Sequence, residues 1–237
     1  MTDMKNPKLE GFNIVDCIPQ TGDCLIGCVE CYYNSPGFYR TKDEPLIPTP
    51  EESAGKIVRM NTGHDSNLQR KLVIETAKKY EKVFFNTSIP VFDFPGPVVY
   101  TCNGQPATTG HFPDSKGNLT DKVDNLMFVR FRINTWNLDE AHKVAKWYTG
   151  KDVPVVMTFM RYQNAINIPT GHGENYKWGK SILNSYYKIK PEVRKEIMSK
   201  FKDNPLVYQC GTPESSYCKD CRNCETLYER ITAKNKK

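Results

Sequence analysis

The chain has 237 residues, with 33 Lys+Arg against 27 Asp+Glu for a formal charge of +6, and 38% hydrophobic and 11% aromatic content. That apolar content offsets chain entropy and excludes long disorder, and no run approaches the ~18 apolar residues of a membrane span. The polar first residues, Met1 to Lys8, lack the apolar core of a signal peptide, so the expectation is a cytoplasmic chain with no membrane partner.

In chain order, residues 12–16 read as a short strand. Thr49-Pro50-Glu51-Glu52 then reads as a helix start, with Thr49 capping, Pro50 in the first turn and Glu52 completing a capping box. A second start is Ser66-Asn67-Leu68-Gln69, followed by Leu72, Val73, Ala77 and Tyr80 at helical spacing. Residues 83–85 and 98–100 are apolar strands. In 126–133, Met127, Val129, Phe131 and Ile133 alternate with Phe128, Arg130 and Arg132, which predicts another strand. Asn137 is expected to cap the next helix, with Glu140 at the capping-box position. Residues 154–160 return as a strand, a late helix follows Pro191, and 206–208 is a last short strand.

Strand 126–133, helix 138–149 and strand 154–160 have the spacing of a βαβ crossover. About six strands and about five helices are too few for a complete eight-unit barrel. The expected fold is therefore α/β, an incomplete TIM-like barrel with a mainly parallel sheet and a C-terminal Cys-rich extension. Residues 1–205 would form the core and 206–237 the Cys-rich segment. Two long polar loops, 103–122 and 163–180, are expected to act as lids or binding loops.

The nine cysteines are bunched: Cys17, Cys24, Cys28 and Cys31 near the start, then Cys102, then Cys210, Cys218, Cys221 and Cys224. An odd, clustered set without a secretion signal points to metal ligation rather than a disulfide framework. Cys24-x3-Cys28-x2-Cys31 can hold three corners of a cubane iron–sulfur cluster, with Gly27 letting the backbone fold closely. Structural zinc, held by Cys28-x2-Cys31 with a distant pair, is the competing reading. Here the sequence resembles the radical S-adenosylmethionine (radical SAM) superfamily. The resemblance implies a 4Fe-4S cluster whose open iron binds SAM, reductive cleavage to a 5′-deoxyadenosyl radical, and hydrogen abstraction from a substrate. An electron donor such as flavodoxin or ferredoxin is implied as partner. Two departures stand out. Glu30 precedes the third cysteine where the superfamily usually has an aromatic, the aromatics here being Tyr32 and Tyr33. No Gly-Gly-Glu segment follows the second strand region, where Asn86-Thr87-Ser88 stands instead.

Cys218-x2-Cys221-x2-Cys224, with Cys210 upstream, matches three cysteines of a bacterial ferredoxin run plus a fourth ligand. It reads as an auxiliary iron–sulfur cluster, or as a four-thiolate zinc site. The whole cysteine layout, the Arg130-Phe131-Arg132 strand and the closing Cys210…Cys224 also resemble a family of uncharacterised Cys-rich proteins of bacteriophages. Asn86, Thr87, Arg130, Arg132 and Asn134 are the candidates for holding SAM or an anionic substrate. Thr158 and Arg161 sit near strand ends. Cys17 and Cys102 read as buried thiols, and His111 and His172 as loop histidines. No Walker loop, Gly-x-Ser-x-Gly elbow or HExxH helix occurs. The leading expectation is a radical SAM-type enzyme acting on a peptide, nucleic acid or small molecule. The alternatives are a zinc-stabilised, non-enzymatic binding protein with nucleic acid as a candidate partner, and an iron–sulfur redox protein that does not bind SAM.

Overall fold

The computed structural model describes residues 6–28, 31–34, 42–104, 117–180 and 185–235. Short apolar runs become β1 (Ile14–Cys17), β2 (Ile57–Met60), β3 (Val83–Thr87), β4 (Val98–Thr101), β5 (Leu126–Ile133) and β6 (Val155–Phe159). The chain then builds a small antiparallel sheet from β7 (Arg161–Tyr162), β8 (Tyr176–Lys180) and β9 (Ser185–Ile189), before returning as β10 (Val207–Gln209). The main sheet has the order β1-β2-β3-β4-β5-β6-β10, and every neighbouring pair is parallel. The helices are α1 (Pro50–Ser53), α2 (Arg70–Ala77), α3 (Leu138–Thr149), α4 (Pro191–Ser199), α5 (Cys218–Cys221) and α6 (Asn223–Lys234).

Strand order that follows chain order has a direct packing consequence. Right-handed crossovers of a sequentially wound parallel sheet all fall on one face. Val73 and Ala77 of α2, Ala141, Val144 and Tyr148 of α3 and Ile197 of α4 pack there, against Val58, Met60, Phe85, Tyr100, Val129, Phe131 and Met157. The opposite face must be covered by something else, because a parallel sheet is stable only when buried on both sides. The C-terminal helix α6 supplies that cover. Its Leu227 is 1% exposed and packs with Ile14, Ile57, Phe84, Val99, Phe128 and Val156, flanked by Tyr228 and Ile231. Farther along the same strand faces, the alternation turns polar: Asp16, Arg59, Asn86, Thr101, Arg130, Arg132 and Thr158.

Several local expectations change. The Thr49 capping box forms, with Glu52 N donating to Thr49 Oγ1 and Thr49 N to Glu52 Oε2. Asn137 does not cap α3: its Oδ1 accepts from Asn134 N at 2.8 Å and its Nδ2 donates to Arg132 O at 2.9 Å. Glu140 instead accepts from Gly117 N at 3.0 Å. Gly117 is required at that approach, since a Cβ there would lie 2.2 Å from Val144 Cγ2. The second helix begins at Arg70, after Gln69 in the left-handed region, and Ser66 does not cap it. Met127 joins the α6 side together with Phe128, because a register shift between Val98 and Val99 leaves it as the extra residue. Residues 163–180 are not a free loop, for they contain β8. Within 103–122, residues 105–116, including His111, lie outside the described residues.

Two outcomes test this packing. Leu227→Ala should lower the unfolding free energy by about 2–5 kcal/mol in urea titration, as for other fully buried leucines. Burial pushes the Cys17 thiol up to about 12, although a contact with Tyr80 opposes it. The unfolded thiol ionises near ~8.5 while the folded one keeps its proton. Stability from this group is therefore complete below about pH 8.5 and lost as pH rises toward about 12. Cys17→Ala should flatten the decline in unfolding free energy measured between about pH 8.5 and 10.5.

Candidate functional site

Ligand sites of parallel α/β sheets lie at the carboxyl ends of the strands, where the chain leaves the sheet. Both cysteine groups emerge at such ends. After β1, Ile18 bridges Leu46 in antiparallel fashion and Gly22 N donates to Lys42 O at 2.8 Å. This stem holds the loop that carries Cys24, Cys28 and Cys31. Gly27 adopts φ +64°, a conformation that favours glycine, and Cys31 N donates to Cys28 O at 3.3 Å. The aromatics after the third cysteine fasten the loop: Tyr32 donates to Thr62 O and Tyr33 to Gly22 O. Glu30 lies outside the described residues.

The loop rests on the end of β3. Cys28 Sγ is 3.8 Å from Ser88 Oγ. Ser88 is set by Asp65, a buried carboxylate that accepts from Ser88 N at 2.6 Å, Ser88 Oγ at 3.0 Å, Thr87 Oγ1 at 2.8 Å and Asn67 N at 2.9 Å. Thr87 therefore belongs to the Asp65 network and faces away from the polar side of the sheet. Asn86 lies on that polar side, donating to Met60 O at 2.8 Å. Arg130 reaches Asn86 Oδ1 and Thr101 Oγ1, each at 3.4 Å. Among the described residues no carboxylate pairs with Arg130. Arg132 is buried, and its guanidinium donates to Asn103 O. Thr158 Oγ1, on the same face, is buried with no hydrogen-bond partner among the described residues. Asn134 serves the small sheet instead. Its Oδ1 accepts from Tyr162 at 3.1 Å and Tyr176 at 3.2 Å, tying that sheet to the end of β5.

Cys24, Cys28 and Cys31 are all half-buried. Burial pushes Cys24 up to about 11, with Asp65, Cys31 and Cys28 adding to the rise. Burial also raises Cys28, the Ser88 contact and Arg132 opposing it and Cys31 reinforcing it. Cys24 and Cys28 thus hold their protons until a cation replaces them.

The second group follows β10. Cys210 N donates to Met157 O at 2.8 Å, extending the pairing with β6. Arg194 of α4 pins the turn by donating to Gln209 Oε1, Cys210 O and Thr212 O. Arg161 donates to Ser216 Oγ. Cys218 and Cys221 bound α5, and a left-handed Arg222 turns the chain so that Cys224 enters α6. Burial pushes Cys224 up to about 12, while Arg59 and then Arg130 oppose it. Burial raises Cys218 as well, again against Arg59. Arg59 is thus one of several cations that face this group, with Lys8, Arg130, Arg161 and Arg194. It is buried and paired with Asp16, Nε to Oδ1 at 2.7 Å. Among the described residues, no three His, Cys, Asp or Glu side chains are drawn close enough to hold a single metal ion.

Sequence reasoning missed Asp16, Arg59 and Asp65. A charge inside an otherwise apolar four-residue strand was the available signal for Arg59. Cys17 and Cys102 are buried thiols, at 0% and 2% exposure. His172 is packed rather than free, its Nδ1 2.8 Å from Thr135 Oγ1 and its ring edge-on to Trp136.

Asp65→Ala should leave the Ser88 amide unsatisfied and lower stability by about 3 kcal/mol in urea titration. It should also release Ser88, so that iodoacetamide modifies Cys28 several times faster, read by peptide mass spectrometry. Comparison of the chain with family models, curated proteins and solved structures returned no match.

Proposed function

We propose that the chain is a radical SAM-type iron–sulfur enzyme on an incomplete barrel, with an auxiliary cluster from its C-terminal segment. The observation that carries the reading is the setting of Cys24, Cys28 and Cys31. Three half-buried thiols share one turn at the carboxyl end of a parallel strand, against Ser88 and beside the polar sheet face. Two further features support the reading: Gly27 adopts the left-handed conformation between Cys24 and Cys28, and the face beside the loop offers Arg130 and the orphaned Thr158 hydroxyl.

Cys24, Cys28 and Cys31 would hold the first 4Fe-4S cluster, leaving one iron for SAM, and Cys210, Cys218, Cys221 and Cys224 would hold the second. When bound, the first cluster and SAM supply the electron and the 5′-deoxyadenosyl radical that abstracts hydrogen from the substrate. The chain's own residues do the remaining work. Arg59 and Arg130 favour ionised thiols at the second group. Arg130, Arg132 and Asn86 offer donors to a carboxylate on SAM or on the substrate. Thr87 and Asn134 act through others, Thr87 by orienting Asp65 and Asn134 by fixing the tyrosines of the small sheet. α6 fills one end of the same sheet face and excludes water there. The reducing electron comes from a flavodoxin- or ferredoxin-type donor.

Protein reconstituted with iron and sulfide without oxygen, then given SAM and dithionite, should form 5′-deoxyadenosine, measured by liquid chromatography. Cys28→Ala should reduce that product to background. Product formation that survives the substitution contradicts the reading.

A further inference from the structure

The antiparallel sheet carries a charge pattern that neither its own stability nor the main sheet explains. The pairing sets Arg161 of β7 opposite Lys188 of β9, and Lys188 opposite Lys177 of β8. Directly opposed residues of antiparallel strands point to the same face, so three cations form one cross-strand row. Like charges in that arrangement repel. Burial, then Arg161, then Lys177 hold Lys188 below the usual lysine range. No carboxylate pairs with Lys177 or Lys188 among the described residues.

Protection of a sheet edge accounts for lysines on the outer strand β8, where they deter pairing with another chain. It does not account for Lys188, which sits on the central strand of β7-β9-β8. Gly179 leaves room for the Lys188 side chain to lie across the face, 3.5–3.6 Å from where a Cβ would stand. There the Lys188 ammonium donates to Lys180 O at 2.6 Å, which fixes its position and leaves two of its three donors for a ligand. On the other face Tyr162, Tyr176 and Ile189 are buried in the main core, while Trp178 is exposed. On the cationic face Lys177 is exposed and Arg161 and Lys188 are half-buried.

We propose that this row binds single-stranded nucleic acid, with Arg161, Lys188 and Lys177 taking backbone phosphates and Tyr186 of the same face stacking on a base. The row spans about 10 Å, two interstrand steps of ~4.8 Å. At ~3.4 Å per phosphate along one strand that span covers about four phosphates, so the three cations can each reach one of them. A small anion calls for donors converging in a pocket, whereas these cations are spread across one sheet face beside an aromatic, with the Lys188 ammonium displaced along the strand toward Lys180, an arrangement open to a single strand. Arg161 ties the inner end of the row to Ser216, between Cys210 and Cys218. None of these residues is a proposed cluster ligand, and the inference requires no metal at the cysteines.

The test uses the full chain and a fluorescein-labelled 20-mer of deoxythymidine, followed by fluorescence anisotropy. Three phosphate contacts on a single strand predict a log–log salt slope near −2, or roughly twenty-fold weaker binding at 200 mM than at 50 mM salt. Lys177→Glu with Lys188→Glu should weaken binding at least ten-fold and flatten the slope by roughly 1.4. Lys146→Glu on α3 should change neither. Circular dichroism checks the fold. Should the double variant not fold, Lys177→Gln on the exposed edge should still flatten the slope by roughly 0.7. Absence of binding at 50 mM salt overturns the proposal, as does binding indifferent to these substitutions. Displacement by polyglutamate as effective as by unlabelled oligonucleotide also overturns it, since it marks an unselective polyanion surface.

Discussion

A parallel sheet wound in chain order places its crossover elements on one face and leaves the other in need of cover. Much of this molecule follows from how that second face is treated. Over its amino half α6 brings Leu227, Tyr228 and Ile231 onto Ile14, Ile57, Phe84 and Phe128. Over its carboxyl half the same strands present Asp16, Arg59, Asn86, Arg130 and Arg132. The boundary between the halves is marked by the buried Arg59–Asp16 pair. Such a pair contributes little net stability by itself, but removing either partner strands a charge. The apolar cover and the polar zone thus depend on each other, since α6 carries Cys224 into the neighbourhood of Arg59.

That arrangement brings opposite ends of the sequence to one side of the sheet. The first cysteine loop hangs from β1 and leans on Ser88. The second group hangs from β10, and its turn is held by Arg194 from α4. Burial raises Cys24, Cys28, Cys218 and Cys224, so these four thiols stay protonated at neutral pH. Arginines from β2 and β5 oppose that rise at Cys28, Cys218 and Cys224, which favours their thiolates.

The unit from β5 through α3 to β6 was legible from sequence because its apolar positions repeat with the periods of the elements they form. The Thr49 capping box was legible because both of its partners lie within four residues. The small sheet was concealed, because Tyr-Lys-Trp-Gly-Lys alternates aromatics with cations and glycine and so reads as a polar loop. β2 was overlooked for a similar reason, being four residues long with an arginine inside. Asn137 failed as a cap because a tertiary demand, from Asn134 N and Arg132 O, outcompeted the local one. The cysteine spacing raised the expectation of metal chemistry from sequence alone. The groups that tune those cysteines were hidden, because Asp65 meets Ser88, and Arg59 meets Cys218, only after strands distant in sequence have paired.

Two separate iron–sulfur centres are tested most directly by the iron, sulfide and zinc content of protein purified without oxygen, compared between the native chain and a variant with Cys24, Cys28 and Cys31 all replaced by alanine. Two cubanes predict about eight irons and eight sulfides per native chain, falling to about four of each in the variant. A colourless native protein that holds one or two zinc ions, and stays so after attempted iron–sulfur reconstitution, would contradict them.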